Sequence, residues 1–579
     1  MILMRSFYAF ILVVFLKING IAQPNFVVII SDDMGWNGTS VQMHENRTDS
    51  KSGLYFTPNI DSLMAKKGRV FTKGYVAASK CAPSRCAIQT GKSAPRNHFT
   101  ETGSGLSSGE IMTAAATDRD INPSDTTLAE WLKQTGQGYT TAHFGKWHLG
   151  SNGPGDHGFD RSDGNTGNND GENGGDAQVD PKKMTEITDS SIAFINDSKL
   201  ASSPFYLQVS HYAVHASVEY KQDTRDLYDS AERPEDPSGN HDNKDFAAMT
   251  ENFDEALGRL VKHIEDEGLA DNTYIVFISD NGASNGMSSN APLKRGKNHL
   301  FEGGIRVPFI VRGPWVTPNS YQETPVVTYD LFPTFAHLTC VHTPLPDSMD
   351  GINISNLFNE TYSFEREEPL FFHSPHYGSS GKIPSGATIE GDYKYFVDYE
   401  SGEMTLHNIH NDIEEALDSS SHYPNLHMAL WIKLRDHLLE GSARMAVTNE
   451  AHLNFMGVAN DADNDGLPDD WEMAQLLTYH LGPNDDPDMD GDNNQTEHTN
   501  GTDPLKHKDF FLTCEDEYDL DNWAVATDHY VPARQTITSS KTYSGLNEVI
   551  YSAQDSIVLN AGFTIELGVV FESVLESCQ

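Results

Sequence analysis

The chain has 579 residues, too many for one ordinary core, so two or more domains are expected. Its 84 acidic and 40 basic residues leave a formal charge of −44, which argues against nucleic acid or an anionic membrane as the main partner. The balance suits salty surroundings or bound divalent cations, and any anionic substrate needs a local basic pocket against the field of the whole molecule.

The chain begins MILMRSFYAFILVVFLKINGIAQ, with Arg5 ahead of an apolar run, Phe7–Leu16, and the small residues Gly20-Ile21-Ala22 behind it. This pattern predicts a secretory signal peptide over 1–22, cut after Ala22, and hence an extracellular, cell-surface or periplasmic protein. The run is too short to span a bilayer comfortably, and no later stretch reads as an integral membrane segment.

Pro24 then precedes NFVVII, a buried-strand pattern that runs into the acidic SDDMG. CAPSRCAIQTGK, residues 81–92, holds two of the five cysteines. A zinc site needs more Cys or His at ligand spacing, and none is close. A Cys81–Cys86 disulfide would close a short loop containing Pro83. A nucleophilic thiol needs a cationic neighbour, which Arg85 supplies. These residues alone leave nucleophile and structural thiol open. GSGLSSG (103–109) lacks the lysine and strand–helix context of a phosphate loop and reads as a plain loop.

TTLAEWLKQTGQG reads as a helix stopped by glycine, YTTAHFG as a strand, and the Gly/Asn/Asp-rich 150–176 as a long surface loop near the site. PFYLQVS is a strand, FAAMTENFDEALGRLVKHIEDEGL an amphipathic helix ending at Gly268, and TYIVFISDNG a strand with a polar end. This alternation predicts an α/β domain over 23–370 with a central, mostly parallel sheet. Ligands bind such sheets outside the carboxyl ends of the strands, where Asp32, Asp33, Asp280 and Asn281 fall.

Past residue 370, GDYKYFVDY and MTLHNIHND read as meandering strands and HMALWIKLRDHLLEG as a closing helix, a smaller antiparallel subdomain over 371–445. In 446–508 aspartate dominates. DADNDGLPDDWE (461–472) places Asp461, Asp463, Asp465, Asp469 and Glu472 at the ligand positions of a calcium loop, with Gly466 at the turn. DPDMDGDNNQTE (486–497) repeats the plan with Asp486, Asp488, Asp490, Asn494 and Glu497. The remainder, 509–579, alternates as a small β module, and Cys514 and Cys578 bracket it at a spacing that allows them to pair.

CAPSRCAIQTG resembles the signature of the type I sulfatases, Cys-x-Pro-Ser-Arg, four residues, Thr-Gly, with Ile88 where Leu is common. GYTTAHFGKWHLG (138–150), HYAVHAS, FISDNG and GKNHLFEGGIRVPFIVRGP resemble later family blocks in order, so that the match covers 24–440. Phe144 stands where a smaller residue is usual, and Val214 and Ser217 replace prolines common around His215.

The resemblance implies an alkaline-phosphatase-like sandwich. It implies that a formylglycine-generating enzyme or an anaerobic maturase oxidises Cys81 to formylglycine. One hydroxyl of the hydrated aldehyde then attacks the sulfur of a sulfate ester, and the other collapses the intermediate and expels sulfate. Asp32, Asp33, Asp280 and Asn281, with the group derived from Cys81, would hold a divalent cation, usually calcium. Arg85 would hold the diol, and Lys146 and Lys297 would bind sulfate oxygens, with Lys294 a lesser rival to Lys297. His148 would serve as base and His215 as leaving-group acid or sulfate ligand, with His211 competing; His373 and His376 are candidate substrate contacts.

The aspartate loops resemble thrombospondin-type-3 or dockerin-like calcium repeats. Export and calcium repeats together imply a scavenger of sulfated algal polysaccharide such as ulvan or carrageenan. The competing readings are a phosphate or phosphonate ester hydrolase of the same superfamily, against which the intact Cys-x-Pro-Ser-Arg element counts, and a non-catalytic, calcium-dependent glycan-binding protein.

Overall fold

In FVVII the side chains alternate between two apolar layers, which is why the run is apolar at every position. Val27 and Ile29 of strand β1 (Asn25–Ser31) enter one core cluster, and Phe26, Val28 and Ile30 enter the other. The computed structural model describes residues 22–103, 112–173, 177–230, 232–361, 364, 366–378, 381–448, 467–478, 481–488 and 490–506, and stretches of backbone within 517–575. Residues 1–21, most of GSGLSSG, Asp461, Asp463, Asp465, the Asp469 side chain, Cys514 and Cys578 lie outside the described residues.

The chain divides into two compact units. The first holds residues up to Gly103, Thr117–Phe372 and Asn411–Glu415. Its sheet has eight strands: β1, β2 (Arg69–Phe71), β3 (Thr140–Gly145), β4 (Arg161–Ser162), β5 (Phe205–Ser210), β6 (Thr273–Ser279), β7 (Phe309–Arg312) and β8 (Ser320–Gln322). Their spatial order is β8-β2-β7-β6-β1-β5-β3-β4. All neighbours pair in parallel except β7, which runs antiparallel to both β2 and β6. The sheet is mostly parallel, as expected, and short strand β4 lies inside 150–176, the segment read as a long surface loop near the site.

Helix α1 (Cys81–Thr90), α2 (Leu128–Gln134) and α5 (Leu331–Leu338) bring Ile88, Trp131 and Phe335 to one face. Helix α3 (Met184–Leu200) and α4 (Lys244–Asp266) bring Phe194, Phe253 and Leu257 to the other. Helix α2 starts where the sequence places it, because Thr127 and Glu130 form a capping box. The crossovers β3–α3–β5 and β5–α4–β6 leave the carboxyl ends of β1, β3, β5 and β6 side by side.

The second unit holds Ser104–Ala116, His373–His410 and Ala416 onward. Strands β9 (Leu370–Ser374), β10 (Ser385–Glu390), β11 (Tyr393–Asp398) and β12 (Met404–Asn408) form a sheet in that order, and β10–β11–β12 is an antiparallel meander. Helix α6 (Pro424–Glu440) packs on β10. It is tied to later chain by Trp431, whose indole N–H donates to Leu476 O at 3.0 Å, and by Arg435, which pairs with Asp503. Within 517–575 the short strands pair in parallel, for example Glu517–Asp519 with Thr536–Ser539, and that pair's second strand with Ser556–Leu559.

Candidate active site

Register builds the acidic centre. β1 and β6 pair so that Ser31 lies beside Ser279, which brings the next residues, Asp32-Asp33 and Asp280-Asn281, together. All four are buried, at 4 % exposure or less. Asp33 turns into the left-handed region at φ 62°, its N–H donates to Asp280 Oδ1 at 3.1 Å, and Asn281 Nδ2 donates to Asp33 Oδ1 at 2.7 Å.

Cys81 is the first residue of α1, and all ten residues of that helix are buried. Arg85, one turn on, lies on the same face. Its Nε and Nη2 donate to Asp280 Oδ2 at 2.9 and 2.7 Å, its Nη1 donates to Lys146 O at 2.6 Å, and Asp32 Oδ2 is 3.7 Å away. Burial pushes the Asp32 carboxyl up, but Lys146 and Arg85 outweigh it and hold the group below the usual carboxylate range.

Glycine is required where β3 hands over to Lys146. Gly145 sits at φ 91°, and a Cβ there would meet Ser210 O at 2.0 Å. Lys146 is fully buried and donates to Asp32 Oδ2 at 2.5 Å; Lys297 donates to Asp33 Oδ1 and Oδ2 at 2.5 and 2.7 Å. The following turn is clamped by Thr166, a residue the sequence reading missed. Thr166 Oγ1 donates to Gly145 O, and it accepts the Trp147 and His148 N–H groups at 3.0 and 2.7 Å through its Oγ1 and O. The clamp holds His148 at φ 60° with Nδ1 3.4 Å from Cys81 Sγ. Burial first, then Lys146 and Arg85, lower the His148 pKa to about 3, which keeps the imidazole neutral at neutral pH and weakens it as a proton acceptor.

Asp32 Oδ1 and Asn281 Oδ1 are buried and accept no hydrogen bond. A buried carboxylate oxygen without a partner is expensive unless a cation meets it. Ligand atoms of Asp32, Asp33 and His215 also lie within 4.8 Å of one another, with His215 Nε2 3.9 Å from Asp33 Oδ2. The donor set, mainly hard oxygens, fits a hard divalent cation.

Two other first-unit candidates, His211 and Lys294, stand elsewhere. His211 is buried edge-on to Phe253, 5.2 Å between rings. Lys294 donates to Glu415 O and lies over the Phe301 ring, so Lys297 is the lysine that reaches Asp33. His373 belongs to the second unit, where Nδ1 meets Tyr399 Oη at 2.8 Å and Nε2 meets Arg444 O at 3.1 Å; both nitrogens are taken, which leaves neither for a substrate. His376 is buried in the same unit. Lys182, also missed, is buried at φ 52°, and Glu219 accepts the N–H groups of Lys182 and Asn173, tying the segment between them to the stretch that carries His215. No local pattern in the sequence marks Lys182 or Thr166.

In the second unit, Asp486, Asp488 and Asp490 bring carboxylate oxygens within 4.8 Å of one another. Asp486 accepts the N–H groups of Asp490 and Gly491, and Gly491 turns at φ 90°. Glu497 and Asn494 are buried, and Asp488 Oδ2, Asn494 Oδ1 and Glu497 Oε2 accept no hydrogen bond. Glu472 of the first loop is buried.

Burial lowers the pKa values of His143, His148 and His211 to about 3. Between the ordinary histidine value, about 6.5, and that range, the unfolded chain binds three protons that the folded first unit does not. Asp254, raised to about 6 by burial, acts in the opposite sense and is outnumbered. The expected outcome is a first-unit thermal transition that moves to lower temperature as pH falls from 7.5 to 5. Intrinsic fluorescence from the buried Trp36, Trp131 and Trp147 follows it, and an unchanged or higher midpoint at pH 5 would contradict the assignment.

The sulfatase family model matches residues 24–341, more than half of the chain. A sulfatase of Formosa agariphila is 29% identical over 504 residues, covering 73% of this chain and 90% of its own. The N-acetylgalactosamine-6-sulfatase of Homo sapiens is 28% identical, covering 60% and 68%. Among solved structures, Ps i-CgsB superposes with a TM-score of 0.60 at 25% identity, covering 72% of this chain and 93% of that one. A second structure of that protein, in complex with k-i-k-neocarrahexaose, superposes with the same TM-score at 24% identity and the same coverage. The family match runs from β1 through the strand ends that carry the acidic centre, and the chain is accordingly a type I sulfatase of the alkaline-phosphatase-like superfamily, a hydrolase of sulfate esters.

Proposed function

We propose that this sulfatase removes sulfate from a sulfated polysaccharide or its oligosaccharides, with algal polymers such as carrageenan and ulvan as leading substrates. It would use a formylglycine made from Cys81 and a calcium ion held by Asp32, Asp33, Asp280 and Asn281. The observation that carries the reading is Cys81, at the start of α1, 3.4 Å from His148 Nδ1 and beside a buried acidic centre with two unpartnered oxygens. The neocarrahexaose bound by Ps i-CgsB supports the carbohydrate class.

The unmodified Cys81 thiol stands where the hydrated aldehyde would stand; that group supplies the attacking hydroxyl and a second hydroxyl for release of sulfate. The cation supplies positive charge to orient sulfate oxygens. Lys146 and Lys297 bind the remaining oxygens, and their charge offsets what builds up as the S–O bond breaks. His148 takes the proton of the second hydroxyl. His215, whose side chain is 20% exposed, protonates the leaving alcohol. Arg85 fixes Asp280 and the turn at Lys146 relative to α1.

The test is a screen of purified enzyme, co-expressed with a maturing enzyme, on sulfated algal oligosaccharides with free sulfate as readout. Aryl sulfate and aryl phosphate esters are run beside them. Mass spectrometry of the peptide containing residue 81 reports the aldehyde. A preference for the phosphate ester would transfer the site to the phosphate and phosphonate hydrolases.

We further read 1–22 as a removed export signal, 446–508 as a calcium-binding segment and 509–579 as a terminal β module. Burial, then Asp490, raise the Asp488 pKa to about 8, and burial with Asp490 and Asp486 raises Glu497 to about 7. At pH 7 these carboxyls hold protons that calcium must displace. Calcium binding is expected to release protons and to weaken as pH falls from 8 to 6. Calorimetry in two buffers of different ionisation enthalpy, on the full chain and on Asp488→Asn, separates this site from the catalytic one. Equal heats in both buffers would refute the proton release, and no difference between the two proteins would remove calcium from the loop.

A further inference from the structure

A cavity of about 310 Å³ opens beside the start of α1. Its lining includes Ala82 and His148, so it adjoins the position of Cys81, and beyond them Thr102, Thr166, Asn165 and Arg119. No carboxylate is among its lining residues, in a chain with 84 of them.

Arg119 is exposed, and among the described residues its guanidinium makes no hydrogen bond, ion pair or ring contact. The buried cations of the catalytic centre differ: Arg85, Lys146 and Lys297 are each held by a carboxylate. The turn that presents Arg119 is nevertheless well fixed. Asp120 Oδ1 accepts both the N–H and the Oγ–H of Ser151. Gly150, at φ 81°, lets the chain pass so close that a Cβ would meet Arg119 O at 2.4 Å. Asn165 Nδ2 donates to Gly150 O at 2.9 Å and ties the far wall to the same turn.

We propose that Arg119 is a specificity residue that binds a second anionic group of the substrate, a sulfate or a carboxylate on the sugar being cleaved or on its neighbour. The planar guanidinium suits either group through two parallel hydrogen bonds, and both occur on sulfated polysaccharides. The volume is at the lower end for ligand sites and admits about one sugar ring. His148 joins the two places, since it touches Cys81 Sγ and lines the cavity, so one molecule spans both. In an acidic protein such a cation also selects for substrates of higher charge over neutral glycans. The proposal rests on the sulfated-carbohydrate reading of the catalytic centre.

The experiment compares wild type, Arg119→Ala and Arg119→Lys as full chains. The probes are monosulfated and disulfated carrageenan oligosaccharides, uronate-bearing ulvan oligosaccharides and 4-methylumbelliferyl sulfate. Sulfate release gives KM and kcat, and calorimetry on the corresponding Cys81→Ala proteins gives affinity without turnover. Arg119→Ala is expected to lose about tenfold to hundredfold in kcat/KM, mostly through KM, on probes with a second anion. Loss on the monosulfated probe and the aryl ester is expected to stay within about twofold, and Arg119→Lys to recover part of the difference. The disulfated and uronate arms decide which anion is read. Equal losses on all probes, or a preference for the second anion that survives Arg119→Ala, would overturn the proposal. A wild-type protein that releases sulfate from no carbohydrate probe would overturn the substrate reading instead, and the calorimetric comparison would still decide the role of Arg119.

Discussion

Cys81→Ala is expected to release no measurable sulfate from any ester, whereas Cys86→Ser keeps most of the wild-type rate. The two thiols lie on one helix but in different surroundings. Cys81 opens α1 at 3.4 Å from His148 Nδ1, and an alanine there leaves nothing to be oxidised and nothing to attack sulfur. Cys86 is packed in the apolar layer with Ile88 and Phe335, and burial pushes its thiol far up, which keeps it inert. Its replacement by serine buries a hydroxyl and costs about 1–3 kcal/mol of stability. Rates on an aryl sulfate and denaturant midpoints separate the two effects. Robust turnover by Cys81→Ala would refute the assignment of the nucleophile.

Lys146→Ala and Lys297→Ala should each remove about 2–4 kcal/mol of transition-state stabilisation, the range for losing one charge-stabilising donor. The structure adds a second expectation. Each ammonium lies against a carboxylate of the acidic centre, Lys146 at 2.5 Å from Asp32 and Lys297 at 2.5 Å from Asp33. Lys146→Ala therefore leaves Asp32 with one cationic neighbour fewer in a fully buried place, and the folded state suffers unless a divalent cation takes up the charge. Thermal midpoints of Lys146→Ala should respond to calcium more strongly than those of wild type, while kcat/KM stays low at saturating calcium. A loss under threefold at both lysines would show that sulfate binds elsewhere.

The alternation of strands and helices was legible because each apolar run is bounded by glycine, proline or a cap such as Thr127, and the acidic centre because SDD and SDN close two such runs. The partners that fix its geometry were not. Thr166 lies in a stretch of Gly, Asn and Asp that carries no periodicity, and its role depends on three backbone groups brought to it by the chain crossing at Gly145. Lys182 follows a proline and looks like an ordinary helix lead-in. Its backbone is fixed by Glu219, far along the chain, which accepts its N–H. Histidines were the least legible. His211, His215 and His373 all sit near strand ends in the sequence, yet one is packed on Phe253, one reaches Asp33, and one has both nitrogens occupied by Tyr399 and Arg444. Only tertiary contacts distinguish them.

Helix α1 shows 3 % of Cys81 to solvent, and none of its ten residues is more than buried. If Cys81 is oxidised as proposed, the oxidising enzyme needs access to a thiol that the finished fold encloses. Maturation and folding are therefore rivals for the same stretch of nascent chain. On the proposed mechanism, whichever is faster sets the active fraction of a preparation, and a chain that closes α1 with its thiol intact is left without a nucleophile.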